Sequence, residues 1–191
     1  MNYCSHCGSS EIAWAIPAGD NRPRYVCSKC DAVFYQNPKI VAGCIPEWDD
    51  KILLCKRAIP PRHGYWTLPA GFMENSETTL EAAIRETLEE ANARVEIVDL
   101  YTVLNIPHTD QVYMMFRGKL VDLDFSPGEE SLECELYSES QVPWDALAFP
   151  TILHTLKFYF EDRKTGEFPL RSGDIVRDGN HAIFAQRRRE L

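Results

Sequence analysis

Three glutamates crowd one turn of the segment 78–91: Glu86 and Glu90 are four residues apart, and Glu89 is three residues from Glu86. On a helix, residues at these spacings are neighbours, and like charges there repel one another. Carboxylate oxygens are the ligands that Mg²⁺ and Mn²⁺ prefer. A solvated acidic face would explain one or two of these glutamates. It would not explain why they follow "LPAGF", a glycine-containing turn whose backbone can approach a ligand closely. The pattern therefore predicts a divalent-cation site.

Four of the seven cysteines have the spacing of a zinc site. Cys4 and Cys7 form one Cys-x2-Cys pair, and after nineteen residues Cys27 and Cys30 form a second. A redox dithiol is the alternative, but it needs only one such pair, near a βαβ unit. Two pairs predict four thiolates around Zn²⁺ with no open position, so the site is expected to be structural. The remaining cysteines, at 44, 55 and 134, lie in apolar stretches and are interpreted as reduced core residues.

Composition limits the class of protein further. The chain has 191 residues, of which 45% are hydrophobic, enough for one domain and a small appendage. A net charge of −9 argues weakly against nonspecific binding to nucleic acid, and the basic run at 187–189 is interpreted as part of a solvated tail. No apolar run is long enough to span a membrane, and the first residues do not have the pattern of a signal peptide. We therefore expect a cytoplasmic protein.

The pattern along the chain divides it into three parts: a zinc ribbon at 1–36, a main domain at 37–162 and a C-terminal tail at 163–191. Within the main domain, "KIVAGCIP", "KILLCKRA", 95–105, 111–121 and "CELYS" read as strands. Residues 150–162 read as a helix.

The clearest helix is predicted at 78–91. Thr78 and Glu81 fit a capping box at its start, and Asn92 can adopt the left-handed conformation that ends a helix. An apolar stripe at helical spacing is expected to face the core. It comprises Leu80, Ile84, Leu88 and Ala91.

The spacing around the three glutamates resembles the Nudix box, G-x5-E-x7-R-E-U-x-E-E-x-G-U, where U is a bulky aliphatic residue. The matching residues are Gly71, Glu77, Arg85, Glu86, Glu89 and Glu90. Asn92 replaces the last glycine, and Thr87 and Ala93 are smaller or more polar than the usual aliphatic residues. The resemblance implies an α/β fold, a Nudix-type α/β/α sandwich with a mixed sheet, preceded by the small zinc ribbon.

The resemblance also implies roles for particular residues. Glu86 and Glu90 would be the main ligands of Mg²⁺ or Mn²⁺, with Glu89 assisting. The carbonyl of Ala70 would add a ligand, and Arg85 would orient the glutamates through salt bridges. Glu89 is also a candidate for activating the attacking water.

Other candidates lie around the box. The activating glutamate could instead come from a later loop, where Glu130 and Glu133 are the candidates, although "EESLE" could equally be a soluble loop. Gly71 would lie close to the substrate. Trp66 and Phe72 could stack on a base, but each aromatic residue alone is more often a core residue.

Substrate class rests on features outside the box. A zinc ribbon before a Nudix domain resembles NADH pyrophosphatases, and "SQVPWDALAFP" at 140–150 shares pieces of their motif without its spacing. A closer resemblance, through "LNIP", "QVYMMF", "PGEESLE" and "LAFPTI", is to plastid-type enzymes that cleave FAD and ADP-ribose. It covers residues 1 to 165 and implies hydrolysis of a pyrophosphate bond with release of AMP.

Two alternatives remain open. An enzyme that acts on NAD-capped RNA would also combine a ribbon with the box, although the acidic net charge makes a nucleic-acid partner unlikely. A non-catalytic binding module would be expected to lack box carboxylates, and all are present. Similar enzymes are usually homodimers, so a homodimer that binds a small nucleotide substrate is the expectation.

Overall fold

The computed structural model describes residues 1–178 and 181–185, and the chain divides into two units, Met1–Pro38 and Lys39–Leu191. The basic run at 187–189 lies outside the described residues. None of the helices in the described part of the chain is long and apolar enough to cross a membrane.

The first unit is a three-stranded antiparallel sheet of β1 (Ile12–Ala15), β2 (Arg24–Cys27) and β3 (Val33–Phe34). Tight turns precede β1 and separate β2 from β3, and each turn contains a residue with a positive φ angle, Gly8 or Asp31. The turns carry the two cysteine pairs, as the ribbon prediction requires.

The second unit is built on one mixed sheet of nine strands. The order of its main path is β10-β5-β4-β9-β8-β11-β12, with β6 paired to β5 and β7 paired to β4. The pairs β4–β9 and β8–β11 are parallel, and the other pairs are antiparallel. The strands are β4 (Lys39–Trp48), β5 (Lys51–Arg57), β6 (Trp66–Thr67), β7 (Ala70–Phe72), β8 (Val95–Ile106), β9 (Gln111–Leu120), β10 (Ser131–Tyr137), β11 (Arg171–Asp178) and β12 (His181–Ala185).

Two helices cover opposite faces of this sheet, α1 (Thr79–Ala91) and α2 (Pro150–Arg163). Successive side chains on a strand point to opposite faces. On β4, Cys44 packs in the cluster that contains Ala91 of α1, whereas Ile45 packs in the cluster that contains Ile152 of α2. The arrangement confirms the predicted α/β/α sandwich with a mixed sheet, and the second helix buries Ile152, Leu156 and Tyr159.

Part of the predicted C-terminal tail forms strands, because β11 and β12 extend the main sheet beyond β8. Asn105 on β8 donates hydrogen bonds from Nδ2 to the Gly173 carbonyl at 3.2 Å and to the Asp174 carboxylate at 3.0 Å. Arg171 is paired with Asp162 at the end of α2. The local sequence pattern did not predict the strands at 171–178 and 181–185, because they are stabilised by pairing with residues distant in sequence.

Helix α1 begins and ends where the sequence predicts, but its buried face differs from the prediction. Thr78 and Glu81 form the reciprocal capping box, and Asn92 has a φ of 48°. Leu80 and Leu88, which the apolar stripe placed in the core, are 41% and 49% exposed. The helix instead buries small residues against the sheet, together with two of the glutamates. The buried residues are Ala82, Ala83, Glu86, Thr87, Glu90 and Ala91.

Candidate functional site

The four ribbon cysteines converge on one point. The Sγ atoms of Cys4 and Cys30 are 3.7 Å apart, as are those of Cys7 and Cys27. The backbone N–H groups of His6 and Cys7 both point at the Cys4 sulfur, at 3.4 Å. Such N–H···S contacts stabilise a thiolate, and four sulfurs with no open position suit Zn²⁺ in a structural role.

The acidic site of the second unit begins at the turn that contains Gly71. β7 pairs with β4, where Gly43 lies opposite Ala70. A Cβ atom on Gly71 would lie 2.3 Å from a carboxylate oxygen of Glu86. The glycine therefore lets this strand pass directly beside the Glu86 carboxylate without displacing it, which is the close approach that the "LPAGF" turn predicts.

Arg85 holds the acidic side chains in place. Its guanidinium donates to both carboxylate oxygens of Glu77, at 2.7 and 3.0 Å, and to the Phe72 carbonyl at 3.2 Å. One nitrogen donates to both Glu86 and Glu89, at 2.7 and 2.9 Å. Hydrogen bonding to Arg85 lowers the pKa of Glu77 to about 2. Arg85 thus ties the loop before α1 to two of the candidate ligands.

Glu86 and Glu90 are buried without enough positive charge to balance them. They are 9% and 6% exposed, respectively. Burial raises the pKa of Glu86 despite the adjacent Arg85. Burial, followed by the negative charge of Glu86, raises the pKa of Glu90 to about 8. Buried carboxylates of this kind are stabilised by a cation, so this pair fits a hard divalent ion.

The loop before β10 is fixed to the C-terminal end of α1. The Gly128 N–H donates to the Glu90 carbonyl at 3.0 Å, and a Cβ atom on Gly128 would lie 1.7 Å from the Glu89 carbonyl oxygen. Asn92 adds hydrogen bonds from Nδ2 to the carbonyls of Ser126 and Pro127. The contact brings Glu129 and Glu130 to the same cavity as the helix glutamates.

The fold accommodates the three residues that depart from the Nudix box pattern. Thr87 is fully buried, and its hydroxyl donates to the Ala83 carbonyl at 2.7 Å. Asn92 takes the left-handed conformation of the missing glycine and, as described, also anchors the following loop. Ala93 is buried against the sheet.

One cavity of about 970 Å³ contains these groups. This volume suits a ligand of dinucleotide size. Acidic, basic, apolar, aromatic and polar uncharged residues all line it. The charged ones are Glu74, Glu86, Glu89, Glu90, Glu129, Glu130, Arg57 and Arg85, and the others include Val41, Ile59, Phe72, Ile106, Gln111, Tyr113, Phe149, Thr151 and Ile175.

The structure brings most of the sequence-predicted residues to this cavity, but not all of them. Ala70, Gly71, Phe72, Arg85 and Glu130 line it, as do the three box glutamates. His108, in the turn between β8 and β9, lines it as well.

Two candidates lie elsewhere among the described residues. Trp66 is only 8% exposed and packs edge-on against Tyr137 in the core, so it is not available to stack on a base. Glu133 lies on β10, where its carboxylate pairs with Lys56 at 2.7 Å. Side chains alternate along a strand, and sequence order alone does not reveal which glutamate of "EESLE" faces the cavity.

Arg57 is a functional candidate that the sequence analysis missed. Its Nε donates to the Pro61 carbonyl at 2.9 Å, and its guanidinium carbon lies over the Phe149 ring, 5.2 Å from the ring centroid. Among the described residues it forms no ion pair with a carboxylate. A cation in an acidic cavity with most of its donors free suits a phosphate. The signal was its position at the end of a strand, next to a proline-rich loop.

Comparison with known proteins agrees with this geometry. A model described as the NUDIX domain matches residues 37–156, and a model of the Nudix N-terminal zinc ribbon matches residues 2–36. The chain belongs to the Nudix family. It is therefore an enzyme of the Nudix hydrolase class with a zinc ribbon before the catalytic domain.

Curated relatives of this Nudix chain differ in the substrates that their names give. An ADP-ribose pyrophosphatase from Methanocaldococcus jannaschii is 31% identical over 113 residues, 57% of this chain and 67% of that protein. The NAD-capped RNA hydrolase NudC from Photorhabdus laumondii is 29% identical over 153 residues, 74% of this chain. The chain spans only 53% of the length of that NudC.

A solved structure gives a higher similarity. The Nudix hydrolase from Nitrosomonas europaea is 57% identical with a TM-score of 0.86, and the match covers 91% of this chain and 99% of that chain. An ADP-ribose pyrophosphatase from Streptococcus suis, at 21% identity and a TM-score of 0.57, covers 71% of this chain and 99% of that chain and shares the fold.

Proposed function

We propose that this Nudix enzyme hydrolyses the pyrophosphate bond of a nucleoside diphosphate derivative, with ADP-ribose or FAD as the substrate and AMP as a product. The observation that carries the proposal is the buried pair Glu86 and Glu90 in a cavity that also contains Arg57, which forms no ion pair with a carboxylate in the part of the chain that the structure describes. The cavity is large enough for a nucleotide with a second group attached. The M. jannaschii relative supports ADP-ribose.

In this proposal Glu86 and Glu90 hold Mg²⁺ or Mn²⁺, with Glu89 and the Ala70 carbonyl as further ligands. The cation, when bound, neutralises phosphate charge and lowers the pKa of water. Arg85 positions Glu86 and Glu89, and Arg57 pairs with a phosphate. The raised pKa of Glu90 is consistent with a carboxylate that requires a cation to be ionised at neutral pH.

The reaction is attack by water on one phosphorus of the P–O–P bridge. A bond forms between the water oxygen and phosphorus, the bond from that phosphorus to the bridging oxygen breaks, and the other phosphate leaves with the bridging oxygen. ADP-ribose would give AMP and ribose 5-phosphate, and FAD would give AMP and FMN. Glu89, Glu129 and Glu130 are the candidates to accept the proton of the water, because each lines the cavity.

The test is to incubate the protein with ADP-ribose, FAD and NADH in the presence of Mg²⁺ or Mn²⁺, and to compare kcat/KM from the AMP formed. We expect AMP from ADP-ribose or FAD at a higher kcat/KM than from NADH. Running the reaction in ¹⁸O-labelled water would identify the phosphorus attacked, because only one product would carry the label. The absence of AMP from all three substrates would refute the proposal.

A second candidate is hydrolysis of NAD-capped RNA, which the similarity to NudC over 153 residues favours. It is separated from the first by comparing free NAD with an NAD-capped oligoribonucleotide. A much higher kcat/KM for the capped RNA would support it. The homodimer and the cytoplasmic location stay predictions, and the mass of the protein in solution would test the former.

A further inference from the structure

Cys55 and Cys134 are two of the three cysteines outside the ribbon, and they face each other across two paired strands. The antiparallel register of β5 and β10 aligns Cys134 directly with Cys55, and the alignment is regular from Glu133 to Tyr137. The two Sγ atoms are 3.6 Å apart, and both thiols are free. The two residues are 79 positions apart in the chain, so the folded sheet is what brings the thiols together.

The register of this pair satisfies the main geometric requirement for a disulfide. Directly opposite residues on antiparallel strands have Cα atoms about 4.5–5.5 Å apart. Disulfides join residues whose Cα atoms are roughly 4.4–6.8 Å apart, with a bond of about 2.0 Å between the sulfurs. The backbone can therefore keep its register, and rotation of the two side chains is the movement that brings the sulfurs together.

The two thiols differ in their access to solvent. Cys55 is fully buried, whereas Cys134 is partly exposed. In the part of the sheet that the structure describes, β10 is an edge strand with β5 as its neighbour. The Cys134 Sγ also lies 3.6 Å from the Glu90 carbonyl oxygen, so it is held between the end of α1 and Cys55. A small oxidant therefore reaches Cys134 first and finds a second, buried thiol beside it.

We propose that Cys134 and Cys55 are a peroxide-sensitive thiol pair, in which oxidation joins the edge strand β10 to β5 through a disulfide. Cys134 is the residue that reacts with the peroxide, and Cys55 is the residue that completes the bond. The proposal goes beyond the function proposed above and does not depend on it.

The oxidation takes place in two steps. The Cys134 thiolate sulfur attacks one oxygen of hydrogen peroxide, the O–O bond breaks, and the hydroxide that leaves takes up the proton released by the thiol. The Cys55 sulfur then attacks the sulfur of the resulting sulfenic acid, the S–O bond breaks, and the hydroxyl group leaves as water with the proton of the Cys55 thiol. The two sulfurs lose two electrons in total, and the peroxide gains two and becomes water.

The disulfide is expected to stabilise the folded protein, because it restricts the unfolded chain. It joins residues 79 positions apart, and long closed loops remove the most entropy from the unfolded state. The link also lies close to the cavity in sequence, because Arg57 follows Cys55 at the end of β5 and Glu130 precedes β10. Both Arg57 and Glu130 line the cavity, so the disulfide ties together two strands that position cavity residues.

The experiment treats the full chain with hydrogen peroxide and then blocks the remaining thiols with an alkylating reagent. Mass mapping of unreduced peptides identifies the linked cysteines. Zinc content is measured in the same samples, because the ribbon thiolates also react with peroxide. The variants are Cys134→Ala and Cys55→Ala, with Cys44→Ala as the matched control, because Cys44 is fully buried in the same apolar cluster as Cys55.

We expect a peptide linked through Cys55 and Cys134 in the parent protein and in Cys44→Ala, and no such peptide in the other two variants. In Cys55→Ala the reaction should stop at the sulfenic acid, which dimedone labels at Cys134. The disulfide should raise the Tm by about 5 °C relative to the reduced parent protein. Dithiothreitol should reverse this shift.

Four results would overturn the proposal. They are a disulfide that includes Cys44, a dimedone label on Cys55 in Cys134→Ala, a Tm that does not rise on oxidation, and release of zinc at peroxide concentrations that leave both Cys55 and Cys134 reduced. Cys134→Ala changes the partly exposed member of the pair. It therefore keeps the test valid if the buried change in Cys55→Ala prevents folding.

Discussion

The zinc ribbon and the acidic helix both suit cations, but they are prepared for them in different ways. In the ribbon, the four cysteine sulfurs all lie within 4.8 Å of one another. Within residues 1–178 and 181–185, no other group of three or more candidate ligand side chains converges so closely. In the helix, Arg85 instead holds Glu86 and Glu89, while Glu90 lies buried beside the cavity.

This difference separates a site for stability from a site for chemistry. Four thiolates complete the coordination of Zn²⁺ and leave no position for a substrate. Carboxylates on one side of a cavity leave positions open for water and phosphate, as Mg²⁺ requires. Burial disfavours the charged forms of Glu86 and Glu90, and perturbed carboxylates of this kind are common where a ligand binds.

The largest effect is expected from Cys27→Ser in the ribbon. Loss of one thiolate should release zinc and unfold residues 1–38, because structural zinc contributes on the order of 10 kcal/mol or more to such modules. Zinc content and hydrogen-exchange protection of the β2 and β3 amides would measure this. Cys134→Ser, which changes a thiol outside the ribbon, is the control and should retain zinc. A ribbon that keeps its protection without zinc would contradict the structural role.

Glu90→Gln should have the next largest effect, on turnover rather than folding. We expect kcat/KM for the preferred substrate to fall by about a hundredfold to a thousandfold, as for other lost electrostatic contacts at reacting groups. The matched control is Glu133→Gln, because Glu133 is paired with Lys56 outside the cavity. Equal activity of the two variants would break the distinction between the cavity glutamates and the strand glutamate.

Arg85→Lys tests whether the arginine acts by positioning the ligands. A lysine keeps the charge but cannot bind Glu77 through two parallel hydrogen bonds. We expect activity to fall by about ten- to a hundredfold, with a higher Mg²⁺ concentration needed for half-maximal rate. Arg94→Lys is the control, because Arg94 is exposed and pairs with Asp122 at the surface. An unchanged Mg²⁺ requirement would mean that Arg85 does not position the ligands.

Sequence alone was sufficient for the parts of the fold that local spacing determines. The cysteine pairs, the capping box of Thr78 and Glu81, and the left-handed Asn92 depend on residues close together in the chain, and the structure confirms these features. The apolar runs "KIVAGCIP" and "KILLCKRA" likewise predict strands, and β4 and β5 are buried over most of their length.

The parts that failed depend on contacts that are distant in sequence. Leu80 and Leu88 read as core residues because helical spacing does not identify which face meets the sheet. Ala82 and Ala83 are small enough to let α1 approach the sheet closely, and Glu86 and Glu90 face the cavity. The pairing of β11 with β8, and the position of Arg57 beside Phe149, require a folded chain before either can be seen.

The smallest expected effect concerns Asp162, a buried carboxylate with its own partners. It accepts hydrogen bonds from the Tyr101 hydroxyl at 2.6 Å and from Arg171 Nε at 3.0 Å. Burial alone would raise its pKa, but Arg171 and Tyr101 hold the pKa of Asp162 below its ordinary value. Asp162→Asn should reduce the free energy of unfolding by about 1–3 kcal/mol. Thermal and denaturant unfolding would measure this, with exposed Glu161→Gln as the control.

Asp162 and Glu90 test, in opposite directions, whether a buried carboxylate already has its partners in the folded protein. Because the folded state lowers the pKa of Asp162, its contribution is present above the unfolded pKa, near 3.8, and is lost as the pH falls through the folded value. The free energy of unfolding should therefore fall less steeply at acidic pH in Asp162→Asn than in the parent protein. Glu90 has a raised pKa, so without a divalent cation Glu90→Gln should leave stability at neutral pH unchanged or higher. A large loss of stability in Glu90→Gln in the presence of a chelator would mean that Glu90, like Asp162, already has its partners and does not await a cation.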